Sequence, residues 1–299
     1  MIPLQNIIAW GQTVTWTELR QVEQDLIISR ALIEIFSDPF LQKELRFRGG
    51  TALNKLHFEK PLRYSEDIDL VRTSGGPMGP ILDALRHILE PWMGRARYEP
   101  SPVAPKLRFL RITPEDKASP EPIRVKVEIN KTEITAYDRP ITIPFSIKNP
   151  WFAKGADIPT FSKEEILSTK LRALLQRDKG RDMIDLAHAR SVFKDLDIDR
   201  VIVCFRKYLD AAGVAISRAQ AEERMFAKYE KRGFLADVLP LLSAEERENF
   251  DRKAAAAAFR TVFLDFIARI PGLAWANAKA AAERIGMPDL ARPAGKPAS

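Results

Sequence analysis

Cysteine, histidine and long apolar runs are all scarce in this chain of 299 residues. A single cysteine, Cys204, excludes an internal disulfide, and its apolar helical surroundings predict a buried structural thiol. His57, His87 and His188 are too scattered to give zinc-ligand spacing. The longest apolar stretches, Ile81 to Leu89 and Val201 to Phe205, are short or broken by charge, which argues against a membrane-spanning helix. Met1 to Gly11 lacks the basic flank of a secretory signal. No internal repeat is visible, and the five tryptophans are scattered as core or interface residues are rather than grouped as a base-stacking platform. Together these absences predict a protein of the reducing cytoplasm with no membrane partner.

What is present suits a folded globular chain, with 45% hydrophobic and 29% charged residues and length enough for two domains. Forty-seven Lys and Arg against 40 Asp and Glu leave a net charge of +7, a mild excess that favours polyanionic partners through counterion release.

Apolar spacing predicts an amphipathic helix over Trp16 to Phe36, then a short strand at Leu45 to Arg48, a glycine turn at Gly49 and Gly50, and a helix over Thr51 to His57. Tyr64 to Arg72 reads as a strand closed by Gly75, Gly76 and Pro77. Further strands are predicted at Leu107 to Ile112, Arg124 to Asn130 and Ile141 to Phe145, with a helix at Ile81 to Leu89. From Ser162, which opens a capping box with Glu165, only helices are expected: Arg181 to Phe193, Ile198 to Ala211, Ser217 to Lys231 and Ala244 to Ile270, the last opened by Ser243 and Glu246. The fold class is therefore α+β, a mixed-sheet domain over 1–159 followed by a helical domain over 160–287, with a frayed tail over 288–299.

Asp67 and Asp69 lie two apart in a predicted strand, so both carboxylates point to one face while Ile68 and Leu70 point to the other. Paired hard oxygens select Mg2+ or Mn2+, the arrangement that nucleotidyl transfer uses to activate a hydroxyl and neutralise a triphosphate. A bare D-x-D is more often a solvated acidic strand face, and a Gly-Gly pair more often an ordinary turn. Gly49-Gly50-Thr51 upstream adds weight, because a glycine turn at a helix start exposes backbone N–H groups to phosphate. The order Gly-Gly-Thr, helix, Arg63, Ser65, Asp67, Asp69 is more specific than either half.

The segments FRGGTALNKL, RYSEDIDL and KLRALLQRDKGRDMIDL resemble the bacterial AbiEii-type nucleotidyltransferase toxins, including the MenT toxins, within the wider DNA polymerase β-like superfamily. The motifs span roughly Phe47 to Leu186. The resemblance implies a catalytic nucleotidyltransferase fold followed by a helical domain, NTP as substrate, addition of nucleotides to tRNA 3′ ends that blocks translation, and a cognate antitoxin partner. By position it places Gly49, Gly50 and Thr51 at the triphosphate and Asp67 and Asp69 at the metal. Lys170 resembles the family lysine that grips nucleotide phosphates, and Asp185 its second-domain acidic residue.

Arg177, Lys179 and Arg181 near Lys170 would form a basic wall with it, and Arg181 joins the nucleotide-binding candidates. Arg181 and Asp185 are also four apart, the spacing of an ordinary intrahelical ion pair. Glu128, alternating with Val127 and Ile129, is the candidate third carboxylate; metal ligand, general base and solvated strand residue all stand as readings of it. Ser65 and Arg63 would orient the acidic segment or touch phosphate, with a plain surface position the alternative for Arg63. Two other functions fit the same residues: transfer to a small molecule or protein, and binding of NTP or RNA without turnover.

Overall fold

The structure, a computed structural model, describes residues 2–111 and 123–291. It divides into two compact units, Met1–Ser162 and Lys163–Ser299. The first contains α1 (Leu4–Gly11), α2 (Leu19–Ser37), α3 (Pro39–Glu44), β1 (Leu45–Arg48), α4 (Gly49–Ala52), β2 (Asp67–Arg72), α5 (Gly79–Met93), β3 (Arg97–Glu99), β4 (Lys106–Arg111), β5 (Ile123–Asn130), β6 (Ile141–Asn149) and β7 (Phe152–Thr160). The seven strands form one sheet in the order β3-β4-β5-β2-β1-β7-β6. Pairs β2–β5 and β1–β7 are parallel and the remaining pairs antiparallel, so the sheet is mixed and the class is α+β.

Strand alternation decides which side faces the core. In β5, Ile123, Val125, Val127 and Ile129 are buried while Arg124, Lys126 and Glu128 turn to the opposite face. On the apolar side α2 packs against β7 and β5, with Leu26, Ile27, Ile28, Leu32 and Ile35 fully buried; most of its residues are buried, polar Gln24, Asp25 and Ser29 among them.

Asp25 is a buried charge of that helix. Asp25 accepts hydrogen bonds from Trp10 Nε1 (3.0 Å) and Trp16 Nε1 (3.2 Å), and from Lys55 Nζ at 2.8 Å. Lys55 belongs to a π-turn, Leu53–His57, that continues α4, and it also donates to Ser29 Oγ (2.9 Å). The glycine-turn segment is thereby tied to α2 at a site where neither partner is free to seek water.

The second unit is helical: α6 (Lys163–Gln176), α7 (Gly180–Val192), α8 (Ile198–Ala211), α9 (Arg218–Glu230), α10 (Ala244–Asn249), α11 (Arg252–Asp265) and α12 (Ala278–Arg284). Its core includes a tilted aromatic cluster of Phe226, Phe259, Phe263 and Trp275, and Cys204 is buried as expected. Among the described residues no helix is long and apolar enough to cross a membrane.

Several elements differ from expectation. The strand predicted from Tyr64 starts only at Asp67: before it, the Tyr64 carbonyl is taken by Arg63 Nη1, and at its first residue Thr51 Oγ1 donates to the Asp67 carbonyl. The single helix predicted over Ala244 to Ile270 is interrupted at Phe250 and Asp251, where the Asp251 carboxylate accepts from Ala254 N and caps a new helix. A full capping box is formed by Ser217 and Gln220, and Glu165 is buried, accepting from Tyr208 Oη at 2.8 Å. Pro288–Ala291, read as the start of a frayed tail, forms a 3-10 turn with Leu290 buried and Asp289 paired to Arg260. The rest of that tail, 292–299, lies outside the described residues, as does Ile112 of the strand predicted to end there.

Removing Asp25 leaves Lys55 buried with only a serine hydroxyl among its described hydrogen-bond partners. We therefore expect Asp25→Ala to lower the unfolding free energy of the first unit by about 3 kcal/mol, and Asp25→Ala combined with Lys55→Met to recover part of that loss. Urea titration of the three proteins checks this.

Candidate active site

The site grows from the register of three strands. Asp67 and Asp69 of β2 stand opposite Lys126 and Glu128 of β5, and Asp69 stands opposite Arg48 of β1. Residues in register on neighbouring strands share a face, so Asp67, Asp69 and Glu128 lie together on the side away from Ile68 and Leu70. The ammonium of Lys126 sits among them, 3.0 Å from Asp67 Oδ2 and 3.2 Å from Glu128 Oε2. Lys106 of β4 reaches Glu128 Oε2 from the other side at 3.3 Å, and Arg48 is drawn off to Glu133 at 2.7 Å.

This crowding shifts protonation. Burial, followed by repulsion from Asp67 and Glu128, holds the Asp69 carboxyl above its usual range, and Lys126 and Arg48 offset this only in part. Burial works against the charge on Lys126, but attraction to Asp67, Asp69 and Glu128 outweighs it and raises the ammonium pKa. The face is short of positive charge next to Asp69.

The glycine turn is shaped around the same carboxylate. Gly49 has φ +86°, a conformation that favours glycine, and a Cβ there would overlap the carboxylate of Asp69. Thr51 is buried, its hydroxyl donating to the Asp67 carbonyl and lying 2.8 Å from Ser65 Oγ. Gly50 is also buried, and its carbonyl accepts from Asn54 Nδ2 at 2.8 Å. The structure thus brings together Gly49, Gly50, Thr51, Ser65, Asp67, Asp69 and Glu128. Arg63 is not a surface residue: it is 2% exposed and hydrogen-bonded to the backbone beside the site.

No three His, Cys, Asp or Glu side chains among the described residues stand as a formed metal cage. The donor set nevertheless fits a hard divalent cation: carboxylate oxygens side by side, a cationic group already between two of them, and a third, Asp69, under electrostatic strain.

The remaining candidates lie in the second unit, on α6 and α7. Lys170 is buried with Asp185 (2.8 Å) and Asp182 (3.2 Å), and Arg177 adds two bonds to Asp182 of 2.8 and 3.0 Å. Asp185 is thus held by Lys170 rather than by Arg181 one turn earlier, and Arg181 is half-buried. Burial opposes the charge on Asp182, but Lys170 and then Arg177 hold its carboxyl below the usual range.

The sequence model of the family described as nucleotidyl transferase AbiEii toxin, Type IV TA system, matches residues 30–263. The chain belongs to that family. Membership makes it a nucleotidyltransferase, with NTP as the substrate and a toxin–antitoxin system as its setting. Among solved structures, the MenT4 nucleotidyltransferase toxin from Mycobacterium tuberculosis is similar over 97% of this chain and 98% of its own, with TM-score 0.64 and 16% identity. JHP933 from Helicobacter pylori is similar over 91% and 97% respectively, with TM-score 0.53 and 15% identity. At that identity both show the fold. No curated protein matches the sequence.

Two participants were missed in the sequence of this AbiEii-family chain. Lys126 sits two residues before Glu128, and strand alternation alone puts both on the face of the aspartates. Asp182 is a second acidic residue in the KGRDMIDL segment, three positions from Asp185 and so on the same side of a helix.

Because Gly49 has no room for a methyl group, Gly49→Ala should reduce nucleotidyl transfer by about a hundredfold while far-UV circular dichroism stays native. A carboxyl whose pKa is raised by folding is destabilising when ionised, above that raised pKa. Asp69→Asn should therefore melt at a higher temperature than the parent at neutral pH in EDTA. The gap should narrow as pH falls and the parent Asp69 takes up its proton, which calorimetry at two pH values will show.

Proposed function

We propose that this toxin transfers nucleotides from NTP to the 3′ end of tRNA, blocking translation, in a reaction that depends on Mg2+ or Mn2+. The observation that carries the reading is the glycine turn packed against Asp69 on a sheet face that also bears Asp67 and Glu128. The net charge of +7 supports a polyanionic acceptor, and the resemblance of FRGGTALNKL, RYSEDIDL and KLRALLQRDKGRDMIDL to the MenT toxins supports tRNA as that acceptor.

In this reading the acceptor hydroxyl attacks the α-phosphorus in line; the new O–P bond forms as the bond to pyrophosphate breaks. Asp67 and Asp69 would hold the ion, which when bound lends positive charge to the triphosphate and favours ionisation of the hydroxyl. Glu128 is the third carboxylate of that charge set. Gly49 and Gly50 offer backbone at a helix start where no side chain keeps phosphate away. Thr51 and Ser65 serve the nucleotide by positioning, their linked hydroxyls fixing the turn to the start of β2. Lys170 and Asp185 complete the catalytic set by resemblance, with Arg181 at the nucleotide. For Lys170 to grip phosphate it must exchange a carboxylate oxygen for a phosphate oxygen, a trade between like partners. The cytoplasm, where tRNA and NTP reside, is the site of action, and the antitoxin restrains it.

The test is transfer of label from each α-labelled NTP, with Mg2+, to total bacterial tRNA. The parent protein should label tRNA, and Asp69→Ala should lose at least about a hundredfold in rate. Pyrophosphate release without labelled tRNA would move the reaction to another acceptor, and nucleotide binding with neither signal would sink the enzymatic reading.

A further inference from the structure

We propose that Lys126 is a built-in counter-ion of the carboxylate site: its ammonium occupies the place of a divalent cation until one binds, then turns to the phosphates of the nucleotide. The inference rests on the metal-dependent reading above and adds a residue to it.

Three features of the geometry support it. The Lys126 ammonium bridges carboxylates of two strands, Asp67 at 3.0 Å and Glu128 at 3.2 Å, between oxygens that would otherwise repel. Its departure leaves Glu128 with Lys106 at 3.3 Å and opens the Asp67 carboxylate to the incoming ion, while the Asp67 backbone stays pinned through its carbonyl by Thr51. Its four-carbon stem is flexible and its side chain is 20% exposed, so the head can swing without disturbing the core.

The exchange has a clear direction. One ammonium cannot neutralise Asp67, Asp69 and Glu128, and a divalent ion carries twice the charge and approaches oxygen to about 2.0–2.1 Å. Two cations held by the same oxygens repel, so ion entry expels the ammonium. The expelled group stays close enough to Asp69 to act on its charge, and Asp69 touches the Gly49 turn proposed for the triphosphate, so an anion there takes the place of the lost carboxylates. Lys126 would thus hold the metal-free face together and become a phosphate ligand in the loaded one.

Mn2+ binding to the full chain, followed by the resonance of free Mn2+, tests this with parent, Lys126→Met, Lys126→Arg and Asp69→Asn. Without nucleotide, Lys126→Met should bind Mn2+ at least about tenfold more tightly than the parent, and Lys126→Arg within about twofold of it. At saturating Mn2+, affinity for the non-hydrolysable α,β-methylene ATP should fall about tenfold in Lys126→Met. Unchanged or weaker Mn2+ binding by Lys126→Met, where the parent binds in an Asp69-dependent way, would overturn the counter-ion role and leave the metal reading standing. Absence of Mn2+ binding in every protein would overturn both. Lys126→Gln, of similar length and polar, repeats the comparison should the methionine variant fail to fold.

Discussion

The carboxylate of Asp69 lies where the Cβ of any residue other than glycine at position 49 would have to be. That contact fixes much else. It holds the turn after β1 against the side of β2, and the register that allows it places Arg48 on one flank of Asp69 and Glu128 on the other. The backbone of the turn and the acidic pair therefore form a single rigid element, and Thr51 adds a second tie sixteen residues apart in sequence. On the proposed reading, a nucleotide meeting this face would find backbone for its phosphates and oxygens for a cation already oriented, and such positioning lowers a barrier without movement at the moment of reaction.

Both units bury charge, and they do so differently. In the first, Asp25 is saturated by two indoles and Lys55, whereas Asp69 is buried beside Asp67 and Glu128, and Lys126 and Arg48 do not fully offset the cost of its charge. In the second, Lys170 and Arg177 keep Asp182 ionised. Saturated networks such as those of Asp25 and Asp182 specify packing. An unsaturated one such as that of Asp69 favours added positive charge, and Asp69 lies against the Gly49 turn.

Elements governed by local pattern were legible in the sequence. Leu45–Arg48 and Ile198–Ala211 fall where spacing and breakers place them, and the shared face of Asp67 and Asp69 follows from strand alternation alone. What was hidden depends on partners far away in sequence. The strand start at Asp67 was obscured because Arg63 takes the Tyr64 carbonyl before it and Thr51, sixteen residues away, takes that of Asp67 itself. Phe152–Thr160, a short mixed run containing Gly155 and Pro159, becomes a strand through pairing with β6 and β1. The break at Asp251 was masked by the alanine run whose helix it caps. Lys126 belonged to a strand already recognised, but its role appears only when β5 is laid beside β2.

The turn, its anchor Lys55 and both aspartates all come from one continuous stretch, whereas Glu128 and Lys126 arrive with β5 much later in the chain. Contacts close in sequence form first, because little loop entropy opposes them. A chain emerging from the ribosome therefore completes Asp67 and Asp69 before Lys126 has been translated. During that interval the nascent segment carries both carboxylates with Arg48 but without Lys126, and the face is complete only once the sheet has closed across β5.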